Sequence, residues 1–206
     1  MQPHEIEALS FQIIDREAGG HGFDPDTWSV VRRMIHTSAD FEYQASVRFS
    51  PDAIAAGVAA IRRGSPVITD TFMALSGIRK ADLEAYGGSV TCLIRDPAVA
   101  EAARSQGSTR ALAAVDQALA TMPQGVFVVG NAPTALLRLI EKIKAGAADP
   151  ALVVGLPVGF VNAAESKEAL LAAAVPYITN VGRKGGSNVA AAVINALIRL
   201  AQAQSA

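Results

Sequence analysis

The 206-residue sequence contains one cysteine, three histidines and one tryptophan, and aromatic residues make up only 5% of it. The single cysteine, Cys92, excludes a disulfide framework within the chain, and the histidines at positions 4, 21 and 36 lack metal-ligand spacing. Cys92 lies in an apolar run, which predicts a buried small side chain. The sequence therefore predicts a reducing compartment and no metal site.

The net charge is also close to zero, and long apolar runs are absent from the sequence. The net charge of −1 gives no electrostatic reason to expect nucleic acid or an anionic membrane surface as a partner. No apolar run is long enough to cross a bilayer, and no secretory signal is visible. We therefore expect a cytoplasmic protein that binds neither nucleic acid nor membrane.

Three common catalytic motifs are missing. The sequence has no G-x-x-x-x-G-K-[ST] phosphate loop, no G-x-G-x-x-G dinucleotide fingerprint and no G-x-S-x-G nucleophile elbow. A hydrolase of the last type would lack its nucleophile, and a nucleotide is a poorer fit than another acidic ligand. What remains is acid–base or isomerase chemistry on a bound anion, or binding alone.

Apolar runs alternate with helical patterns through most of the chain. Five runs predict strands: 66–70, 89–94, 126–130, 152–160 and 175–180. Strands separated by helices predict an α/β domain of three layers, α/β/α, with a mainly parallel five-stranded sheet in a flavodoxin-like order. The first fifty residues show a helical pattern, so N-terminal helices precede the sheet. We treat residues 1–206 as one domain.

Polar and small residues follow two of the predicted strands. In an open parallel sheet, ligands bind beyond the carboxyl ends of the strands. Asp70 and Thr71 lie at one such end, and Asn131 and Ala132 lie at another. The alternative for Asp70 and Asn131 is that each side chain only caps the helix that follows it. The two roles can coexist.

Two further stretches suit an anionic ligand. In TNVGRKGGSNVAAAV, a glycine-rich turn with Arg183, Gly185 and Gly186 follows a strand and opens a helix. In GSTRA, Thr109 and Arg110 open another helix, where backbone N–H groups and a guanidinium suit a carboxylate or phosphate. Both stretches also have plain structural explanations, namely a turn that needs positive φ and a capped helix with a solvated arginine.

His36 lies near the end of a helix that Asp24 and Pro25 are predicted to open. The apolar stripe of this helix consists of Trp28, Val31, Met34 and Ile35. At about 100° per residue, His36 falls more than about 90° from the middle of the stripe, on the face of Arg33. His36 is therefore either a proton donor or acceptor near neutral pH, or an ordinary surface histidine at a helix end.

Ser10 lies four residues after Ile6 and interrupts the apolar stripe of the first helix. A buried hydroxyl needs a hydrogen-bond partner. The partner is either the carbonyl of Ile6, one helical turn earlier, or a ligand. The spacing alone leaves both possibilities open.

Seven stretches together resemble one known family. RMIHTSADFEY resembles the signature of the precorrin-8X methylmutase family of corrin (vitamin B12) biosynthesis. Six others resemble the same family in the same order: IEALSFQIID, VITDTFMALSGI, GSTRA, VFVVGNAPTALLRL, VVGLPVGFVNAAESKEAL and YITNVGRKGGSNVAAAVINAL. The resemblance extends over residues 6–200, and seven stretches in order are more specific than any one of them.

The resemblance implies a flavodoxin-like fold and a homodimer with its site near the interface. It implies migration of the ring-C methyl group from C-11 to C-12 of precorrin-8X, giving hydrogenobyrinic acid, or cobyrinic acid from the cobalt-containing substrate. It implies no cofactor. The family's catalytic histidine falls on His36, its substrate-contacting serine and arginine fall on Ser10 and Arg33, and Arg110 is a candidate to act across the interface.

The implied substrate is a macrocycle with a rim of carboxylates. Arg33, Arg110 and Arg183 are candidates to bind that rim, and Met73 and Leu75 are candidates to cover the face of the ring. Two alternatives stay open: a non-catalytic corrinoid carrier that uses the same pocket, and a flavin or nucleotide protein. Tight binding of the product also predicts hand-off to the next enzyme of the corrin pathway.

Overall fold

The computed structural model of the protein describes residues 2–203. Its helices are α1 Pro3–Ala18, α2 Pro25–Ser38, α3 Glu42–Ser46, α4 Ala53–Arg62, α5 Phe72–Gly77, α6 Lys80–Glu84, α7 Pro97–Ser105, α8 Arg110–Thr121, α9 Pro133–Lys144, α10 Ala163–Leu171 and α11 Ser187–Ala203. Its strands are β1 Val47–Phe49, β2 Val67–Thr69, β3 Val90–Thr91, β4 Val126–Val129, β5 Leu152–Gly155 and β6 Tyr177–Asn180. No helix within residues 2–203 is long and apolar enough to cross a membrane.

The strands form one sheet in the order β1-β6-β5-β4-β2-β3. Strands β2 to β6 are parallel to their neighbours, and β1 pairs antiparallel with β6 at the edge. Numbered along the chain, the five parallel strands have the order 2-1-3-4-5, which is the order of flavodoxin-like folds. The predicted α/β class and the parallel sheet are therefore confirmed.

Three details of the predicted sheet are wrong. The sheet has a sixth strand, β1, inside the N-terminal region that was predicted to be helical, and β3 is only two residues long. The run predicted at 152–160 leaves the sheet after Gly155. Pro157 has no N–H for a ladder, and the carbonyl of Leu156 accepts a hydrogen bond from Gly186 instead. A three-residue edge strand is too short for its alternation to be recognised.

Alternate strand residues pack against opposite helical layers. Val126 and Val128 of β4 face a core that α2, α4 and α11 complete. Phe127 and Val129 of the same strand face a second core formed with α8, α9 and α10. All four residues of β4 are buried, as expected for a parallel strand that is covered on both faces.

Helix α2 begins and packs as its sequence predicts. The Asp24 carboxylate accepts hydrogen bonds from the backbone N–H groups of Asp26 and Thr27 and caps the helix. The predicted apolar stripe is buried in the core that contains α11: Trp28, Val31, Met34 and Ile35. Burial of this one face leaves the opposite face of α2 for helix α1.

Helix α1 lies against α2, but its apolar stripe is only partly covered. Asp15 accepts hydrogen bonds from the Trp28 indole and the Arg32 guanidinium, both at 2.8 Å. Ile14 is buried, whereas Ile6 and Leu9 are 51% and 44% exposed. The apolar stripe of α1 is therefore buried in the second half of the helix only.

Lys167 of α10 is buried, with 0% of its surface exposed. Water hydrates the ammonium in the unfolded chain, and its removal on folding disfavours the charged form. Burial therefore lowers the pKa of Lys167 to about 8 from its ordinary value of 10.5. A lysine of this kind makes stability depend on pH.

Removal of the Leu136 side chain tests the packing between α9 and the sheet. Leu136 is fully buried in the second core, whereas its neighbour Leu137 is partly exposed. We expect Leu136→Ala to lower the free energy of unfolding by about 2–5 kcal/mol, and Leu137→Ala by about 1 kcal/mol or less. Urea unfolding of both variants measures the difference, and equal losses would contradict the assigned packing.

The lowered pKa of Lys167 predicts the direction of a pH effect on stability. Between pH 8 and pH 10.5 the unfolded chain holds this proton and the folded chain does not, so rising pH favours the folded state. From pH 8 to 9.5 the wild type should gain up to about 1.4 kcal/mol per pH unit relative to Lys167→Met. Urea unfolding across this range measures it, and parallel curves for the two proteins would contradict it.

Candidate functional site

His36 lies on the last turn of α2 and faces an open groove between α1 and α2. The groove has a volume of about 400 Å³. Its lining residues are Ser10, Ile13, Ile14, Glu17, Ile35, His36, Ala39 and Phe41. The structure therefore brings together His36 and Ser10, which are 26 residues apart in the sequence. The imidazole is exposed at an apolar surface that could cover part of a ligand.

Phe11 of α1 is the common neighbour of His36 and Arg33. The His36 and Phe11 rings meet edge to face with their centroids 5.2 Å apart. The Arg33 guanidinium lies 5.2 Å from the Phe11 centroid and forms a 3.0 Å ion pair with Glu7. The predicted shared face of His36 and Arg33 is therefore confirmed. Phe11 and Glu7 were missed, because nothing local to α1 indicates which residues of α2 they meet.

Ser10 hydrogen-bonds within its own helix. Its hydroxyl donates to the carbonyl of Ile6 at 2.8 Å, which is the structural alternative that the spacing left open. The same oxygen lies at the groove beside His36. Because its proton is directed to Ile6, Ser10 offers an acceptor to a ligand in this groove.

The chain turns sharply after α2 and binds the glycine-rich turn. Ala39 has a left-handed conformation with φ of 53° and ends the helix. Asp40 accepts a hydrogen bond from the Glu42 N–H and a 2.6 Å bond from the Lys184 ammonium, which also lies 2.8 Å from Glu42. The ammonium holds the pKa of Asp40 below its ordinary value. These contacts direct Asp40 toward Lys184 and α3.

Residues 181–186 form a tight turn, and we call them the 181–186 turn. Gly182 and Gly186 have positive φ angles of 82° and 138°, so the plain structural explanation of the glycines holds. A Cβ atom on Gly185 would lie 2.2 Å from the carbonyl oxygen of Leu156, so the turn packs directly on the exit of β5. Arg183 is exposed beside the Phe160 ring, 5.5 Å from its centroid.

Asp70 joins the ends of β2 and β4. Its carboxylate accepts hydrogen bonds from the backbone N–H groups of Gly130, Asn131 and Ala132 at 3.0, 2.8 and 2.7 Å. Burial raises the pKa of Asp70, and the three N–H groups oppose that shift. The alternative that Asp70 only caps the helix that follows it is wrong, because Thr71 caps α5.

Because the Asp70 carboxylate occupies these N–H groups, they are already satisfied inside the protein. A ligand carboxylate at this edge must therefore find other donors or displace Asp70.

Thr71 also hydrogen-bonds Ser187, the first residue of α11, at 2.8 Å. Met73, on the first turn of α5, is 71% exposed and is free to cover a ligand.

Thr109 and Arg110 open α8 as predicted. The Thr109 hydroxyl accepts a hydrogen bond from the Leu112 N–H at 3.2 Å, and the Arg110 side chain is exposed. Ala111, the next residue, lines a small internal cavity of about 20 Å³ together with Asp70. The start of α8 therefore lies beside the end of β2.

The predicted residues fall into two groups that one contact connects. Ser10 and His36 line the groove between α1 and α2, and Arg33 shares its neighbour Phe11 with His36. The second group lies along the carboxyl edge of the sheet: Asp70, Thr71, Met73, Thr109, Arg110, Asn131, Ala132, Arg183, Gly185 and Gly186. The ion pair between Lys184 and Asp40 joins the two. Within residues 2–203, no three His, Cys, Asp or Glu side chains come together as a metal site requires.

This arrangement suits acid–base chemistry on a large anionic ligand. The imidazole supplies a proton donor or acceptor. Arg33 beside His36, and the exposed Arg110 and Arg183 at the sheet edge, suit carboxylates. Exposed apolar residues, among them Met73 and Phe160, suit an apolar ring face. A compact anion such as phosphate would use only a small part of this surface.

Comparison with known proteins agrees with this geometry. The family model CbiC, precorrin-8X methylmutase, matches residues 5–200. Cobalt-precorrin-8 methylmutase of Priestia megaterium is 49% identical over 201 residues, covering 98% of this chain and 89% of the relative. Precorrin-8X methylmutase of Pseudomonas aeruginosa is 42% identical and covers 93% of each chain.

A solved structure is similar over the same extent. The crystal structure of precorrin-8X methylmutase from Thermus thermophilus superposes with a TM-score of 0.91 at 49% identity, covering 98% of this chain and 97% of that one. The family model and the relatives both extend over nearly the whole chain. The chain therefore belongs to the precorrin-8X methylmutase family of isomerases.

Proposed function

We propose that the protein moves the ring-C methyl group of precorrin-8X, or of its cobalt-containing analogue, from C-11 to C-12. The observation that carries this proposal is the groove lined by His36 and Ser10, with Arg33 close by against the Phe11 ring. The names of the relatives support the same substrate class, because they include both cobalt-precorrin-8 and precorrin-8X methylmutases. The product from precorrin-8X is hydrogenobyrinic acid, and the product from the cobalt-containing analogue is cobyrinic acid.

His36 is the general acid of the proposed reaction. Protonation of the conjugated macrocycle, or a strong hydrogen bond to it, makes the ring more electrophilic and favours migration of the methyl group. A positioned acid of this kind contributes about 10²–10⁴-fold to a rate. The edge-to-face contact with Phe11 orients the imidazole, and Ser10 accepts a hydrogen bond from the ligand beside it.

Arginines bind the carboxylate rim of the proposed substrate. Arg33 lies beside the groove, and Arg110 and Arg183 are exposed at the carboxyl edge of the sheet. Glu7 already neutralises Arg33, so a substrate carboxylate competes with Glu7 for the guanidinium. Backbone groups of the 181–186 turn, and Met73 above the sheet edge, complete the surface.

A homodimer with the site near its interface is part of the proposal. Large apolar side chains that a monomer leaves exposed support it: Ile6, Leu9, Met73, Val158, Phe160 and Val161. A second copy would cover part of this surface, and Arg110 would then act on the substrate of the partner. Cytoplasmic location, independence from cofactors and hand-off of a tightly held product remain predictions.

Replacement of His36 tests its proposed chemical role. We expect His36→Ala to bind precorrin-8X and to lower kcat by about 10²–10⁴-fold, because the general acid is lost. His4→Gln, at an exposed position of α1, is the control and should retain wild-type kcat. Absorbance time courses that follow formation of hydrogenobyrinic acid measure both rates.

Two results would contradict this account. If His36→Ala converts the substrate at the wild-type rate, His36 is a surface histidine and the acid lies elsewhere. If the wild type binds both the cobalt-free and the cobalt-containing substrate and converts neither, the chain is a corrinoid carrier.

Replacement of Arg33 tests its proposed contact with a carboxylate. Arg33→Gln should raise KM by about 10- to 100-fold, because a charge-assisted hydrogen bond is worth about 1.5–3 kcal/mol. Arg199→Gln removes an exposed arginine from α11 and should leave KM unchanged. Steady-state kinetics of both variants decide the point, and an unchanged KM for Arg33→Gln would exclude the contact.

A further inference from the structure

Lys167 is a buried ammonium group to which the proposed reaction has so far given no role. It lies on α10 with 0% of its surface exposed. Burial of a charged group costs several kcal/mol, and an apolar side chain of similar size would fill such a site at lower cost. Stability alone therefore does not explain this lysine, so its contacts are informative.

The ammonium bonds to the last residue of β6, just before the 181–186 turn, and to the middle of the turn. Its Nζ donates to Oδ1 of Asn180 at 3.1 Å and to the backbone carbonyl of Lys184 at 2.5 Å. Asn180 is also fully buried, and its Nδ2 donates to the carbonyls of Val181 and Lys184. The carbonyl of Lys184 thus receives two hydrogen bonds from beneath the turn.

Lys184 also restrains the turn through its own side chain, at the protein surface. The side chain of Lys184 bonds Asp40 and Glu42, which follow the helix of His36. The N–H of Gly186 donates to the carbonyl of Leu156 and fixes the end of the turn. One buried and one exposed lysine therefore determine where the turn lies relative to the groove.

We propose that Lys167 is a positioning residue for substrate binding, because its ammonium fixes the carbonyl of Lys184 and so places Arg183 and the glycine backbone toward the substrate carboxylates. This inference rests on the proposed function for the identity of the ligand. The hydrogen bonds by which Lys167 restrains the turn do not depend on that function. The buried positive charge also lies under a surface to which the proposed function assigns an anion, so it favours the ligand electrostatically.

The test compares two variants of adjacent buried residues on α10. Lys167→Met removes the ammonium and keeps a chain of similar length. Ser166→Ala removes a fully buried hydroxyl whose hydrogen bond goes to Ala163, away from the turn. Circular dichroism establishes that each variant is folded before any comparison is made.

The first measurement is cleavage by trypsin, which cuts after Arg183 and Lys184 only when the turn opens. Mass spectrometry of the first fragments gives the rate at these two bonds. We expect Lys167→Met to raise that rate by about 10- to 100-fold, the value of a hydrogen bond to a charged group. Ser166→Ala should leave it unchanged. Equal rates for wild type and Lys167→Met overturn the inference, whatever the substrate is.

The second measurement is steady-state turnover of precorrin-8X. A positioning role predicts a KM about 10-fold higher for Lys167→Met with kcat nearly unchanged, because His36 is not altered. General destabilisation would instead lower the apparent kcat at constant KM. Faster cleavage of the turn with an unchanged KM overturns the role in binding. If the wild type converts no substrate, the proposed function is rejected. The trypsin result then still shows whether Lys167 restrains the turn.

If Lys167→Met does not fold, Lys167→Gln replaces it, because a neutral amide removes the charge-assisted hydrogen bond to the carbonyl of Lys184 and is less apolar than methionine beside Asn180. Asp40→Asn, at the surface, is measured beside it and weakens the outer anchor alone. We expect each variant to raise both the cleavage rate and KM. Both increases should be larger for Lys167→Gln than for Asp40→Asn. The reverse order, or no change in Lys167→Gln, overturns the inference.

Discussion

Helix α2 has one apolar face, and the burial of that face against α11 determines the position of the groups that α2 contributes to the groove. With Trp28 and Met34 fixed in the core, the helical repeat leaves Arg33 and His36 on the side that α1 covers. Phe11 then contacts both side chains. A rotation of α2 about its axis would expose its apolar face and would also move Arg33 and His36 away from α1. The same packing therefore determines the stability of the fold and the geometry of the groove.

One partly buried and one fully buried charged side chain fix the loops at the carboxyl edge of the sheet. Asp70 holds three N–H groups at the start of α9, and Lys167 holds the carbonyl of Lys184. Each group is expensive to bury, and each bonds to backbone that irregular loops leave without ladder partners. Loops that are restrained in this way can present arginines and small residues to a ligand with little loss of entropy on binding.

The sequence predicted features that depend on local chemistry. The Asp24 cap, the apolar stripe of α2 and the parallel strands all follow from residues that are close together in the chain. It did not predict β1, which is three residues long and pairs with a strand about 130 residues later. The partners of Asp70 lie about 60 residues away, and Lys167 has the appearance of a solvated lysine in ESKEALL. Contacts over such separations depend on the finished sheet.

The most direct measurement of the central claim is transfer of a labelled methyl group. Precorrin-8X that carries ¹³C in the methyl group at C-11 is mixed with the purified protein, and NMR follows the position of the label. We predict that the label moves to C-12 in the same molecule, at a rate that requires His36. A label that stays at C-11 while the substrate is bound at the groove would contradict it.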